Sequence, residues 1–326
     1  MDILWLDQND VRTVLDMPSA MDAVEAAFVQ HGRKKVQMPP KSYLYFDAHN
    51  GDLRTMPAFL EDEDIAGAKI VNVHPDNRKA GLPTVMALVV LNSTTTGAPI
   101  AVMDGTYLTA IRTGAAGGLA AKYLARPDSH IVGMVGCGSQ ARTQLLALSH
   151  VFEIELVQVY SHTREHSSRF SEEMKEILGC NIVAKDNPEE VCRCDILVTT
   201  TPVRSPLVRF EWIQPGTHIN AIGADAKGKE ELDADILKTG TIVVDDIAQA
   251  SHSGEVNVPL SQGLISEEDI HCELGEVIAG VRAGRKEPNE ITVFDSTGLA
   301  IQDIATANLI YKKAVHEGIG KRLDLF

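Results

Sequence analysis

The stretch IVGMVGCGSQARTQLLAL, residues 131–148, decides the fold of this 326-residue chain. It passes from an apolar strand into a helix, and the turn between them carries the pattern G-x-G-x-x-A, which begins at Gly136. In this context Gly136 makes a tight turn, and Gly138 lets backbone amides approach a pyrophosphate at the N-terminus of the helix. We therefore expect a dinucleotide-binding Rossmann domain, in which Ser139 and Gln140 add hydrogen bonds.

Apolar strands alternate with polar helical segments from Ile131 onward. The predicted strands are HIVGMVG, ELVQVYS, CDILVTTTP, THINAIG, TIVVDD and ITVFDST. Such alternation is typical of a doubly wound parallel sheet. We therefore expect an α/β Rossmann domain that covers residues 128–303.

The first third of the chain has a different pattern, which is typical of an α+β domain. A helical segment, PSAMDAVEAAFVQHG, has Ser19 as its expected N-cap, and a Gly- and Ala-rich helix begins at Thr106. Between them, short runs separated by Pro, Gly, Asn and Asp predict strands: SYLYF, GDLRTMPAF, AGAKIVNVH and TVMALVVLNS. The last helical stretch, GLAIQDIATANLIYKKAVHEG, is expected to pack back on this first domain. The second domain is therefore predicted to comprise residues 1–127 with 304–326.

The composition excludes several classes of function. A formal net charge of −15 argues against a nucleic-acid-binding protein, because affinity for phosphates depends on clustered Lys and Arg. The chain has neither a signal-peptide pattern nor an apolar run long enough to span a bilayer, so we expect a cytoplasmic protein without a membrane partner. We expect no metal, and we interpret Cys192 and Cys194 in VCRCD as packing residues, because nothing nearby supplies further ligands.

The end of the second predicted strand bears on cofactor choice. In an NAD site this strand usually ends in an acid that binds the ribose hydroxyls, whereas here it ends in Ser161, His162, Thr163 and Arg164. Two hydroxyls and a guanidinium suit a 2′-phosphate, so the sequence favours NADP(H), with NAD(H) possible. The alternative is that Arg164 is a solvated residue in the first helical turn and that either cofactor is used.

Four charged residues are candidates for a site that acts on a small acid. Lys69 lies in the apolar run GAKIVNVHP, and Arg54 and Arg112 could each grip a carboxylate through two hydrogen bonds. A lysine close to other positive charge loses pKa, which makes proton transfer feasible near neutrality. Asp225 follows a strand of the parallel sheet, where ligands bind.

Each of these candidates also has a purely structural interpretation. Lys69 could extend to solvent from a strand end. Arg112 could pair within its own helix, and Asp225 could be a turn or N-cap residue before a helix that contains Lys229.

Over nearly its whole length the sequence resembles the ornithine cyclodeaminase/mu-crystallin family, most closely the archaeal type of alanine dehydrogenase. The matching segments include DLRTMPA (52–58), GAKIVNVHP (67–75), AVMDGTYLTAIRTGAAGGLAAKYLA (101–125), VGCGSQA (135–141) and FDSTGLAIQD (294–303). The resemblance implies a homodimer. It also implies that the first domain, completed by the C-terminal helix, binds substrate and forms the dimer.

The resemblance also implies roles for matching positions. Lys69 corresponds to the catalytic lysine, Arg54 to a carboxylate-binding arginine and Asp225 to the active-site acid. Arg112 corresponds to an arginine that contacts the cofactor. The cofactor contacts implied in addition to the glycine turn are Ser139, Gln140, Gly223, Ala224, Asp225, Lys229 and Ser296.

Two departures from the family pattern affect these expectations. Ornithine cyclodeaminases carry a glutamate where Arg54 stands, which makes ornithine cyclisation a weaker alternative. Archaeal alanine dehydrogenase has an aspartate where Ser161 stands, and this position is more similar to the NADPH-using mu-crystallins.

The expected activity is that of an NAD(P)-dependent amino-acid dehydrogenase, in which hydride passes between nicotinamide and the Cα of a small amino or imino acid. Alanine, with pyruvate and ammonia, is the expected substrate pair. The alternatives are, in order, reduction of pyrroline-2-carboxylate, ornithine cyclodeamination, and binding of a ligand by an NADPH-loaded protein without turnover.

Overall fold

The computed structural model describes residues 2–324. The strands are, in chain order, β1 (Asp2–Leu6), β2 (Val36–Gln37), β3 (Ser42–Phe46), β4 (Gly51–Leu60), β5 (Ile65–Val73), β6 (Val85–Ser93), β7 (Pro99–Asp104), β8 (Ile131–Val135), β9 (Leu156–Tyr160), β10 (Asn181–Ala184), β11 (Ile196–Thr199), β12 (Arg204–Val208), β13 (His218–Ala221), β14 (Glu230–Leu232), β15 (Thr241–Val244), β16 (Ile270–Glu273), β17 (Thr292–Asp295) and β18 (Lys321–Asp324). The α-helices are α1 (Gln8–Val14), α2 (Met17–Gly32), α3 (Thr106–Leu124), α4 (Ser139–Val151), α5 (Arg164–Leu178), α6 (Pro188–Val191), α7 (Ala234–Thr239), α8 (Ile247–Ser253), α9 (Asn257–Ser261), α10 (Leu274–Ile278) and α11 (Ala300–Glu317).

The chain divides into two compact units. The first, called the split unit here, consists of the chain up to Arg112 together with the chain from Leu299 onward. The second, called the central unit, is the continuous segment Thr113–Gly298. These boundaries differ from the expected ones at 127/128 and 303/304. The difference has a physical reason at each boundary. Arg112 is hydrogen-bonded to Gln302 and Asp303, which ties the start of α11 to the split unit. The backbone oxygens of Thr113 and Gly117 accept hydrogen bonds from the side chains of Gln144 and Asn220, which ties the rest of α3 to the central unit.

The split unit is built on one mainly antiparallel sheet, in the order β18-β1-β7-β6-β5-β4-β2, with β3 also paired to β4. On β4, buried residues alternate with less buried ones, as expected of a strand with one face toward a core. Helix α11 packs on this face, against β4, β5 and β6, and also contacts α2. The expected strands and the returning last helix are therefore confirmed.

The opposite face of this sheet carries exposed apolar side chains. Ile70 and Leu88 are opposite each other in the register of β5 and β6, and Met86 lies two residues from Leu88. These three side chains are 41 %, 47 % and 37 % exposed, and Leu44 on β3 is 59 % exposed. We call these four residues the outer apolar face.

The central unit contains a second sheet, entirely parallel, in the order β10-β9-β8-β11-β13-β17-β15-β16. All six strands predicted from the alternating pattern are present, and β10 and β16 extend the sheet at its two edges. The strand order reverses between β8 and β11, which is the doubly wound arrangement. Cys192 and Cys194 are buried in the core of this unit, and burial raises the pKa of the Cys192 thiol to about 12.

One local expectation was wrong. Helix α2 begins after Asp16, whose carboxylate accepts a hydrogen bond from the backbone N–H of Ser19, so Asp16 and not Ser19 is the N-cap. Pro18 occupies the first turn, where its missing N–H costs nothing. Within residues 2–324, no helix has both the length and the apolar character that a membrane span requires.

Candidate functional site

The split unit contains a buried site around Lys69. This side chain is 1 % exposed on β5, and its Nζ lies 2.8 Å from Oδ1 of Asp303 in the first turn of α11. The same carboxylate oxygen accepts a hydrogen bond of 2.9 Å from Nε of Arg112. Arg112 also donates from Nη1 to Oε1 of Gln302 at 2.8 Å. The structure thus brings two of the predicted residues together around one carboxylate that was not predicted.

The charges in this cluster set the proton affinity of Lys69. Burial lowers its pKa most, the neighbouring positive charge of Arg112 lowers it further, and the attraction of Asp303 opposes both. The charge of Lys41 acts in the same direction as Arg112, and the resulting pKa of Lys69 is about 7. A group that is half protonated near neutrality is suited to general acid–base chemistry. Extension of Lys69 to solvent is excluded by its burial.

Several polar atoms of this cluster are buried and have no hydrogen-bond partner among residues 2–324. They include Oδ2 of Asp303, Nε2 of Gln302 and Oγ1 of Thr306, all on α11. Buried polar groups are normally paired, because leaving one unpaired costs about 1–3 kcal/mol. The cluster therefore has unused capacity to bind a polar group.

Arg54 projects from the same face of the sheet as Lys69. In the register of β4 and β5, Arg54 is opposite Val71 and Met56 is opposite Lys69. Arg54 and Lys69 are therefore diagonal neighbours, and their Cα atoms are about 7–8 Å apart. Asp52 holds the guanidinium through Nε at 2.9 Å and Nη2 at 3.0 Å, and Arg54 is 7 % exposed. These two hydrogen bonds fix the orientation of the Arg54 guanidinium. Its role in binding a carboxylate stays a prediction.

The glycine turn of the central unit fits a pyrophosphate. Gly136 follows β8 with a φ of +109°, and a Cβ there would lie 2.5 Å from Oγ1 of Thr200, so only glycine is compatible. Gly138 is the N-cap of α4, and an added Cβ there would meet no atom within 4 Å. Ser139 and Gln140 form the first turn of α4. The turn therefore presents an accessible backbone at a helix N-terminus, which is the geometry that favours bound phosphate.

The other predicted cofactor residues lie at the same edge of this sheet. Ser161, His162 and Thr163 follow the carboxyl end of β9, Ser296 follows β17, and the segment Gly223 to Asp225 follows β13. Ligands of open α/β sheets bind at the carboxyl ends of the strands. The structure thus groups these residues where a dinucleotide is expected, although their individual contacts stay predictions.

Arg164 is the first residue of α5, and its Nη1 lies 2.8 Å from Oδ1 of Asp186. Both side chains are exposed, and such ion pairs contribute only about 0–1 kcal/mol. The guanidinium therefore stays available for another anion, although a carboxylate already lies beside it.

Asp225 forms an ion pair of 2.6 Å with Lys229. It is not a helix N-cap, because Lys229 precedes β14 and the next helix, α7, is capped by Asp233. The N-cap part of the structural alternative was therefore wrong, whereas Asp225 does lie in the turn segment between β13 and β14. The catalytic role of Asp225 and the cofactor contacts of Lys229 and Ala224 stay predictions.

Asp303 and Gln302 are the residues at the lysine site that sequence reasoning missed. Asp303 belongs to FDSTGLAIQD, which carried the family resemblance but was given no role. The available signal was an acid within the largely apolar stretch GLAIQDIATANLI, because a carboxylate in such surroundings needs a cationic partner.

Comparison with known proteins adds to these observations. A model of the ornithine cyclodeaminase/mu-crystallin family matches residues 2–318. The chain belongs to this family. The alanine dehydrogenase of Archaeoglobus fulgidus is 53 % identical over 327 residues, which cover 100 % of this chain and 99 % of the relative.

Two solved structures of the family are also very similar. An archaeal alanine dehydrogenase dimer with bound NAD has a TM-score of 0.97 and 52 % identity, with 100 % of both chains covered. The Delta(1)-pyrroline-2-carboxylate reductase of Thermococcus litoralis, in complex with NADH and L-proline, has a TM-score of 0.96 and 40 % identity, over 98 % of this chain and 100 % of that one. The expected fold, a Rossmann domain with a second α+β domain, is confirmed.

Proposed function

We propose that the protein is a nicotinamide-dinucleotide-dependent dehydrogenase that interconverts L-alanine with pyruvate and ammonia. The observation that carries the proposal is Lys69, a buried lysine with a pKa of about 7. Support for the reaction class comes from the family and from the archaeal alanine dehydrogenases, which are 52–53 % identical over the full chain.

In this proposal each residue has a defined task. The backbone of the turn from Gly136 to Gly138 and the N-terminus of α4 hold the pyrophosphate. When bound, the nicotinamide supplies or accepts the hydride. Arg54 holds the substrate carboxylate, and Lys69 donates a proton to the pyruvate oxygen or takes it back. Asp225 orients ammonia or water and relays protons.

The test is the change in absorbance at 340 nm with pyruvate plus ammonia. We expect consumption of reduced cofactor by the wild-type protein and none by the Lys69→Ala variant. An inactive wild-type protein that binds the cofactor would refute dehydrogenase activity, and near-normal rates in Lys69→Ala would refute the role of the lysine.

Reduction of pyrroline-2-carboxylate is the second candidate. It is favoured by the similarity to the Thermococcus litoralis enzyme in complex with L-proline, at 40 % identity. Cofactor consumption with this cyclic imine, but not with pyruvate plus ammonia, would establish it. Ammonia release from ornithine without any change in absorbance at 340 nm would instead indicate cyclodeamination. Binding of a ligand without turnover in any of these assays would indicate a ligand-binding protein.

We further propose that NADP(H) is preferred to NAD(H). Support comes from the hydroxyls of Ser161 and Thr163 and from the weakly paired guanidinium of Arg164 at the carboxyl end of β9. The related structures contain NAD or NADH, so both cofactors need to be compared. We expect Arg164→Ala to raise KM for NADPH and to leave KM for NADH unchanged. A higher kcat/KM with NADH in the wild-type protein would refute the preference.

We propose that a second copy of this chain covers the outer apolar face. Contiguous apolar surface is rare on monomers, and the archaeal relative is a dimer. We expect light scattering to give a dimer for the wild-type protein, and Leu88→Glu to give a monomer because it places a charge on this face. A dimeric Leu88→Glu variant would refute this interface.

A further inference from the structure

We propose that Glu231 is a positioning residue that shapes the binding surface for the nicotinamide half of the dinucleotide. The inference rests on the proposed use of a dinucleotide. Glu231 lies on the short strand β14 of the central unit and is 0 % exposed.

Both carboxylate oxygens of Glu231 are used. Oε2 accepts hydrogen bonds from Oγ1 of Thr199 at 2.7 Å and from the backbone N–H of Gly223 at 2.9 Å. Oε1 accepts from the backbone N–H of Thr201 at 2.6 Å and from its Oγ1 at 2.7 Å. Thr199 ends β11 and Gly223 follows β13, so one carboxylate joins the carboxyl ends of two adjacent strands.

This junction is closely packed. A Cβ on Gly223 would lie 2.2 Å from the backbone oxygen of Thr201 and 2.5 Å from Oε2 of Glu231. The absence of a side chain at position 223 therefore lets the segments after β11 and β13 approach each other. Glu231 fills the space behind them and fixes their separation.

The strand order assigns this junction to one half of the ligand. The glycine turn follows β8, and the ribose-binding position follows β9. The order reverses between β8 and β11, and the two mononucleotide halves bind on opposite sides of such a reversal. Since adenosine is expected on the side of β9, the nicotinamide half is expected over β11 and β13. Thr201 and Gly223 lie on that side.

A second buried carboxyl supports Glu231. Oε1 of Glu255 accepts hydrogen bonds from the backbone N–H groups of Glu231 and Leu232, at 2.8 and 2.7 Å. Burial and the charge of Glu231 raise the pKa of Glu255 well above its usual range, which favours its neutral form. Burial also raises the pKa of Glu231, but its four hydrogen bonds favour the ionised form. Glu231 thus carries the charge that orients these donors.

The first test is the isosteric Glu231→Gln variant. An amide nitrogen cannot accept a hydrogen bond, so one pair of donors, on Thr201 or on Gly223 and Thr199, loses its acceptor. We expect affinity for NADH and NADPH, measured by fluorescence titration, to fall by about five- to a hundredfold. Affinity for ADP, which lacks the nicotinamide half, should differ by less than about twofold between the variant and the wild-type protein.

Two further variants make the test specific. Thr199→Val removes one hydrogen bond to Glu231 from a fully buried position, and it should give a smaller loss in the same direction even if Glu231→Gln does not fold. Asp195→Asn is the matched control. Asp195 accepts from the backbone N–H groups of His130 and Ile131 at the opposite end of the sheet, so this variant should keep wild-type affinity for NADH and NADPH.

Each outcome decides the proposal. Equal loss of NADH and ADP affinity in the folded variants would indicate a general structural role and refute positioning. Unchanged NADH affinity in both Glu231→Gln and Thr199→Val would also refute it, while the proposed dehydrogenase would stand. A wild-type protein that binds ADP but neither NADH nor NADPH would refute both proposals.

Discussion

Replacing Asp303 by asparagine should lower the pKa of Lys69 and move the pH dependence of the reaction. Asparagine keeps an oxygen that can accept from Lys69 Nζ and Arg112 Nε, but it removes the negative charge 2.8 Å from Nζ. Besides the hydrogen bond that asparagine keeps, the remaining influences on Lys69 are burial and the charges of Arg112 and Lys41, and all three lower its pKa. No negative charge among these influences then opposes deprotonation.

The size of the effect follows from the geometry. Two unit charges about 4 Å apart interact by about 4 kcal/mol at an effective dielectric constant of about 20. Opposite charges at such distances shift a pKa by about 1–3 units. Lys69 has a pKa of about 7 in the native protein. In Asp303→Asn it should therefore titrate about 1–3 units lower and be mainly neutral at pH 7.

The assay is the pH profile of kcat/KM for reductive amination of pyruvate. Protonated Lys69 is the proposed acid, so in the wild-type protein its contribution falls as pH rises through about 7. The variant should lose activity at a pH about 1–3 units lower. The ratio of variant to wild-type rates at each pH cancels the ionisation of ammonia.

Gln302→Met is the matched control for this experiment. It removes the acceptor for Arg112 Nη1 without changing any charge, so the descending limb of its profile should stay near pH 7. A folded Asp303→Asn variant whose descending limb does not move, or moves to higher pH, would refute the electrostatic account of Lys69.

Three further predictions follow from the split unit. Lys69→Met should flatten the pH dependence of the free energy of unfolding measured by chemical denaturation. Between about pH 7 and its usual pKa of 10.5, Lys69 binds more protons in the unfolded chain than in the folded one. Its contribution to the free energy of unfolding therefore rises with pH across that window, and this rise is absent from the variant. Arg54→Leu should raise KM for pyruvate by about ten- to a hundredfold in steady-state kinetics, through loss of charge-assisted hydrogen bonds, and an unchanged KM would contradict the assignment. Sedimentation velocity should show Leu88→Glu as a folded monomer, whereas an unfolded variant would mean that the outer apolar face is needed within one chain.

Much of the fold could be predicted because its determinants are local. Most strands between β8 and β17 coincide with apolar runs. Each of these strands, like the turn at Gly136, is determined by a few consecutive residues. The N-cap of α2 was misassigned by three positions, since Asp16 and Ser19 are both good capping residues and only the start of the helix distinguishes them. Short edge strands such as β10 and β16 lack a long apolar run and were missed.

The chemistry of the site was less predictable because its partners are distant in sequence. Lys69 and Arg112 attracted notice as cations in apolar surroundings, but their shared carboxylate is on α11. Glu231 is buried only through contacts with three other segments, and its neighbours in the sequence are polar. In both cases the burial of the side chain and its hydrogen-bond partners result from tertiary packing, which composition and periodicity do not encode.

The position of Asp303 in the chain has a consequence for biosynthesis. It follows Lys69 by 234 residues, which a ribosome adds in about 10–50 s at 5–20 residues per second. While the last 191 of these residues are added, the nascent chain contains both Lys69 and Arg112 without the carboxylate that pairs with them. Burying both cations alone is prohibitive, so their strand and helix must stay hydrated while the continuous central unit emerges and folds. The buried site around Lys69 thus forms only at a late step of synthesis.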